Sequence, residues 1–152
     1  MNPFFLIILI AIVLEFVLDL VANLLNLSSL KVEPPNELKD VYNPDEYRKS
    51  QRYTQTKTRF ELVTDTFSVV VILSFWFLGG FNYLDQIIRS WAFVPIVNGL
   101  LYIGILLAAY SILMLPFSIY ATFVIEEHFG FNRTTPRTFI LDRVKGAGLA
   151  LL

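Results

Sequence analysis

Three long apolar stretches alternate with polar, charge-bearing connections along the chain. The first runs from Pro3 to Leu27. A helix needs about 20 apolar residues to cross a hydrocarbon core of about 30 Å, so this run is long enough to span a bilayer. A cleaved secretory leader would show basic residues ahead of a shorter apolar run, then a small-x-small cleavage site. No Lys or Arg precedes Phe4 and no such site follows the run. The pattern predicts a retained span over residues 4–27.

The second stretch, Leu62 to Leu78, ends at Gly79-Gly80 and reads as the top of a longer helix. Asn43-Pro44-Asp45-Glu46 is its start: Asn43 can cap, Pro44 suits the first helical position, and Glu46 occupies the third position of a capping box. No Gly or Pro follows until Gly79. A helix of about 35 residues is roughly 50 Å long, more than the bilayer is thick, so Tyr47–Tyr53 should project into water. The third stretch, Val97 to Ile125, contains Pro116, which removes a backbone hydrogen bond and predicts a kink. Gly130 sits where a helix end wants a left-handed residue. Thr135-Pro136 then restarts a helix, with Thr135 as its cap. This helix turns apolar at Gly146–Leu152, as if another span were beginning.

The predicted fold class is therefore all-α and multi-pass. It comprises three spans near residues 4–27, 62–78 and 97–125, the start of a fourth helix near residue 136, and a second helix extended into the cytoplasm. An apolar helix opening at the end of the sequence reads as part of a longer protein. Gly79–Phe93 is expected as a connecting loop, and Leu30–Pro44, stiffened by Pro34-Pro35, as the main irregular stretch. No internal repeat stands out.

Basic residues set the orientation. Lys31, Lys39, Arg48, Lys49, Arg52, Lys57 and Arg59 lie between the first two runs, Arg89 alone between the second and third, and Arg133, Arg137, Arg143 and Lys145 after the third. Cytoplasmic connections carry the excess of Lys and Arg, which puts the N-terminus and the Gly79–Phe93 connection outside. Tyr83, Trp91 and Phe93, with Trp76 nearby, suit interfacial anchoring.

Composition agrees. Of 152 residues, 55% are hydrophobic and only 16% charged, too few charges to cover a small soluble domain. The net charge of -1 offers no basic field for nucleic acid. There is no cysteine, which excludes disulfides, thiolate catalysis and cysteine metal sites. The single histidine is His128.

Polar residues inside the apolar runs are the candidate chemistry. Glu15, Asp19 and Asn23 recur every four residues in the first span, with Asn26 close behind. At about 100° per residue they fall in an arc of roughly 80°. An ionised carboxylate at mid-membrane costs about 2.5–3.5 kcal/mol on the insertion scale, so this stripe should face protein or water. Helix packing and a hydrated pathway both satisfy that requirement. Ser111, Ser118 and Thr122 share a face of the third span and read as packing residues. Asp65, near the cytoplasmic end of the second span, can snorkel to water and is given no role.

The third run closes on Glu126-Glu127-His128, followed by Phe129-Gly130-Phe131-Asn132-Arg133-Thr134. A zinc protease helix supplies two histidines one turn apart with a glutamate between them. That HExxH pattern is absent, so no zinc site is expected in this chain and Glu126–His128 reads as a solvated helix end. The Asn26-Leu27-Ser28 and Asn132-Arg133-Thr134 sequons read as chance matches.

At these residues the chain resembles the integral-membrane zinc metalloproteases of the CAAX prenyl protease 1 type. The resemblance rests on Pro35-x-Glu37, Tyr47-x-x-Ser50-x-x-Tyr53, Lys57-x-x-Phe60 and, most specifically, Leu115-Pro116-Phe117 through Glu126-x-x-Phe129-Gly130-Phe131-Asn132-Arg133-Thr134. It implies about seven helices around a water-filled chamber, a zinc ion held by an HExxH motif beyond Leu152, and cleavage of peptides or prenylated proteins. This chain would then be the N-terminal region: non-catalytic, embedded in the lipid bilayer, and partnered by the C-terminal catalytic region. Glu15, Asp19, Asn23, Glu126, Asn132 and Arg133 are its candidate chamber residues. A non-enzymatic membrane scaffold or partner subunit is the competing reading, and a transporter half is a weaker one without an inverted repeat.

Overall fold

The computed structural model describes residues 3–31 and 43–150, and the regular structure among them is helical. Pro34-Pro35, Glu37, Lys39 and the terminal Leu151-Leu152 lie outside the described residues. Helix α1 is Pro3–Ser29, α2 Pro44–Phe77, α3 Gly80–Ser90, α4 Pro95–Tyr120 and α5 Pro136–Ala150; a π-helical turn, Ala121–Glu126, continues α4. Three helices are long and apolar enough to cross a membrane: Pro3–Ser29, Pro44–Phe77 and Pro95–Glu126.

The helix ends follow local chemistry. The amide of Asp45 donates to Asn43 Oδ1 at 3.0 Å, and Pro44 occupies the first turn of α2. The amide of Thr138 donates to Thr135 Oγ1 at 3.2 Å at the start of α5. Gly79 (φ 76°) and Gly130 (φ 67°) both take the left-handed conformation that a side chain disfavours. Gly80 is needed for a different reason: a Cβ there would lie 2.4 Å from the Phe75 ring.

Two sequence expectations change. Gly79–Phe93 is largely helix α3 rather than loop. Its apolar residues, Phe81, Leu84, Ile87 and Ile88, recur at helical spacing, with Asn82, Gln86 and Arg89 exposed between them. Ile88, only 1% exposed, anchors that apolar face, while Arg89 Nε donates to Asp85 Oδ2 at 2.7 Å on the other side. That hydrogen bond, with the adjacent carboxylate charge, raises the Arg89 guanidinium pKa above its ordinary value. The second change is in the third span. The break in the α-helical ladder is the π turn, beginning five residues beyond Pro116. A π turn widens the helix by one residue and re-aims everything after it.

Helix α2 is the hub. Among the described residues it touches α1, α3, α4 and the π turn, whereas α1 touches only α2. The α1 seam consists of the half-buried Phe5, Leu9, Ile12, Phe16, Leu20, Asn23 and Leu27, a mixture of three- and four-residue steps as two helices packed side by side require. At its upper end Phe5 meets Trp76 at 4.9 Å between ring centroids and Phe77 at 6.2 Å. Trp76 is thus a packing residue as well as a candidate interfacial anchor.

Toward α4, helix α2 presents an aromatic ladder at seven-residue intervals, which keeps its members nearly on one face. Tyr53 packs on Phe129 at 5.6 Å and Phe131 at 4.8 Å. Phe60 stacks on Tyr120 at 5.1 Å and Phe67 on Phe117 at 4.9 Å. Helix α5 turns back along the end of α4: Phe139 meets Phe123 at 5.5 Å, and Arg143 donates to Ser118 Oγ.

Among the described residues only Ile88, Ile125 and Thr58 are buried, and large apolar side chains such as Ile7, Leu18, Val63, Leu100 and Ile112 stand exposed. In water this would be a fatal arrangement. In a bilayer, lipid tails solvate such faces as well as protein does, so helices need contact only along narrow seams.

Candidate functional site

The acidic stripe of α1 meets α2 in a cleft of about 250 Å³ lined by Ile12, Glu15, Phe16, Asp19, Leu20, Leu62, Asp65, Ser68, Val69 and Ile72. Glu15 and Asp19 are exposed at the edge of the helix seam. Asn23 is not with them: it is half-buried in the seam itself and does not line the cleft. The geometry explains the split. Residues four apart on a helix advance about 40° each step, so the stripe drifts across the face until Asn23 reaches the seam.

Asp65 is the cleft residue that sequence reasoning misses. It faces α1 beside Ser68, whose hydroxyl lies 3.1 Å from that of Tyr110 and ties the cleft rim to α4. A position near the end of a span says only that Asp65 can reach water. The antiparallel register of α1 against α2 is what brings it opposite Glu15 and Asp19. The ion pairs among the described residues are Asp45–Arg48, Lys57–Glu61 and Asp85–Arg89, all within single helices, so none neutralises the three cleft carboxylates.

Glu126, Asn132 and Arg133 lie in a second place, the corner between α4 and α5. The Glu126 carbonyl accepts from the amides of Phe131, at 2.8 Å, and Asn132, at 3.2 Å. Asn132 Nδ2 donates to Glu127 Oε2 at 2.9 Å, while its Oδ1 accepts from the Thr134 amide at 2.7 Å. Asn132 therefore pins both sides of the turn. Glu126 and Asn132 are half-buried; Arg133 is exposed. His128 is exposed, its ring edge-on to Phe129 at 5.0 Å. The corner seats on the water-side half of α2 through Tyr53 and through Lys49, whose ammonium lies 5.2 Å from the centre of the Phe131 ring.

The six candidates thus form two groups that the described structure does not bring together. The cleft meets α2 at Leu62–Ile72 and the corner meets it at Lys49–Tyr53, separated by roughly 13 Å of helix. Among the described residues no three His, Cys, Asp or Glu side chains are grouped to hold a metal ion. At the corner Glu127 is bonded to Asn132, and the His128 ring packs edge-on to Phe129. Among the described residues no donor set fits a zinc centre.

The sequence matches, over residues 23–152, the family described as CAAX prenyl protease N-terminal, five membrane helices. The chain belongs to this family. CAAX prenyl protease 1 of Saccharomyces cerevisiae is 28% identical over 135 residues, covering 82% of this chain and 29% of that protein. The CAAX prenyl protease 1 homolog of Mus musculus is 32% identical, covering 73% of this chain and 25% of that protein. The crystal structure of S. mikatae Ste24p superposes with a TM-score of 0.83 at 26% identity, covering 99% of this chain and 36% of that one. This chain therefore spans about a quarter to a third of its relatives' length. Glu15 and Asp19 precede the family match at residue 23, but the structural match takes in α1. The chain is an integral, multi-pass membrane protein of the CAAX prenyl protease family.

Proposed function

We propose that this chain forms the non-catalytic N-terminal membrane region of a zinc metalloendopeptidase of the CAAX prenyl protease type, and that it walls a hydrated substrate chamber. The carrying observation is the cleft of Glu15, Asp19 and Asp65, three carboxylates on spanning helices with no basic partner among the described residues. Carboxylates at membrane depth face water or other protein, because lipid cannot solvate them. In a member of a membrane protease family, a water-filled chamber meets that demand. The corner around Asn132 would hold the ends of α4 and α5 against the water-side half of α2. The partners in this reading are the bilayer, a C-terminal catalytic region holding the zinc, and a peptide or prenylated-protein substrate.

The test uses the natural protein that carries this chain, purified in nanodiscs and given a farnesylated peptide ending in a CAAX sequence. Cleavage should fall to background after treatment with a metal chelator and return with added zinc. Cleavage that persists after chelation would remove the metalloprotease reading.

The basic excess in the connections of this chain supports an orientation with the N-terminus outside and the water-side half of α2 in the cytoplasm. The chain has no cysteine of its own, so Ser50→Cys offers a single reporter within it. A membrane-impermeant maleimide should label that thiol in inside-out vesicles and not in right-side-out ones. The reverse pattern would invert the topology.

A further inference from the structure

The water-side half of α2 carries a cavity beside the aromatic corner, with which it shares Lys49 and Phe129. It measures about 300 Å³ and is lined by Asp45, Arg48, Lys49, Arg52 and Phe129. That volume is at the lower end for small-molecule sites, about 300–1,000 Å³. Its three cations come from five consecutive residues of one helix. Arg48 and Arg52, four residues apart, share a face and stand about 6 Å apart along the axis, while Lys49 is rotated about 100° toward the corner. Like charges at that spacing repel, so the arrangement opposes helix stability unless something neutralises it.

The described structure neutralises little of it. Among the described residues Asp45 is the only carboxylate lining the cavity; it reaches Arg48 at 3.9 Å, and its side chain is 90% exposed. An ion pair so open to water contributes little. Glu127, the nearest acid of the corner in sequence, is bonded to Asn132. Lys49 is held in place: its ammonium lies over the Phe131 ring, and its Nζ is 3.4 Å from where a side chain on Gly130 would begin. Arg52 makes no ion pair among the described residues.

The depth of the site separates it from ordinary lipid phosphate. Headgroups occupy about 5–7 Å beyond each edge of the hydrocarbon. Counting from Leu62, where the apolar run begins, that zone holds Arg59 and Lys57, whereas Arg52 to Arg48 lie about 15–21 Å out. The cations of the cavity therefore stand beyond the phosphates of common phospholipids.

We propose that this cavity is a binding site for a compact polyanion bearing phosphate monoesters, with Arg48 and Arg52 taking neighbouring phosphates, Lys49 adding charge and Phe129 forming an apolar wall. A guanidinium matches a phosphate with two parallel hydrogen bonds, and each monoester carries about -1.5 to -2 charge near neutral pH. The ligand is either a soluble phosphorylated small molecule or a lipid headgroup whose phosphates project well above the surface. This proposal does not depend on the protease reading, since binding is measured without cleavage.

The experiment titrates the natural protein, in nanodiscs of uncharged lipid, with soluble inositol 1,4,5-trisphosphate by calorimetry. A second arm measures binding to vesicles containing phosphatidylinositol 4,5-bisphosphate. Saturable binding in at least one arm is expected, with the tighter arm identifying the source. The Arg48→Gln/Arg52→Gln double variant should weaken it at least tenfold, while Lys57→Gln leaves it unchanged. A thermal melt of each variant in the same nanodiscs confirms that the fold persists. Absence of saturable binding in both arms would overturn the proposal. So would unaltered binding by a folded double variant, or equal competition by a phosphate-free glutamate-rich peptide, which would make the site a protein-docking surface.

Discussion

Replacing Glu15 and Asp19 together by leucine should leave the chain inserted and lower kcat/KM of the natural protein on prenylated peptide by about tenfold or more, about 1.4 kcal/mol of transition-state free energy. Insertion should not suffer, because a mid-membrane Asp costs about 2.5–3.5 kcal/mol and leucine is favourable by about 0.5. A loss of activity would therefore report on the cleft rather than on failed membrane entry. The mechanism is local: both carboxylates line the same cleft as Asp65 and Ser68, and apolar replacements would remove the groups that, in the proposed reading, keep it hydrated. Asp65→Leu should act in the same direction. Asn23→Leu is the internal control, since Asn23 lies in the helix seam outside the cleft and its replacement should affect packing more than turnover. The measurement is steady-state cleavage with protein matched for membrane content. Unchanged activity in the Glu15/Asp19 double variant would reduce the cleft to a packing feature.

The aromatic ladder of α2 offers the second large effect, because its rungs sit in different solvents. Tyr53 packs on Phe129 and Phe131 about 13 Å below the start of the apolar run, beyond the headgroups. Phe67 packs on Phe117 inside it. Tyr53→Ala should cost about 2–3 kcal/mol, the loss of ring burial from water together with two aromatic pairs. Phe67→Ala should cost only about 1 kcal/mol, since lipid tails solvate the vacated surface and mainly the ring–ring contact is lost. Reversible unfolding of the natural protein in bicelles, read by steric trapping, gives both numbers. Equal costs, or a larger cost at Phe67, would refute the assignment of Tyr53 to water and Phe67 to hydrocarbon. The same contrast says where the protein is held together. Inside the bilayer its helices are gathered along seams, whereas at the corner a hydrophobic driving force fastens the segment after the π turn, through Phe129 and Phe131, to α2.

Much of the architecture was legible one element at a time. The Asn43-Pro44 start of α2, the Thr135-Pro136 start of α5 and the left-handed Gly130 each depend on a few adjacent residues, and each occurs as its residues dictate. Helix α3 was equally legible in principle, since Phe81, Leu84 and Ile88 mark an apolar face, but its shortness and its place between two spans disguised it as a loop. The π turn was not legible. Pro116 announces a disturbed ladder, yet the π turn begins only at Ala121, just past the rings of Phe117 and Tyr120 that pack on Phe60 and Phe67.

By itself the sequence determined that this protein lives in a membrane and that three of its helices are long and apolar enough to cross it, because transfer from water to hydrocarbon is summed residue by residue along a continuous segment. Only the tertiary structure decided which polar groups meet. Asp65 joined Glu15 and Asp19, Asn23 left them for the seam, and Arg48, Lys49 and Arg52 acquired a wall in Phe129. Each of those outcomes depends on the rotation and register of one helix against another, quantities set by side-chain interlocking between segments far apart in the chain.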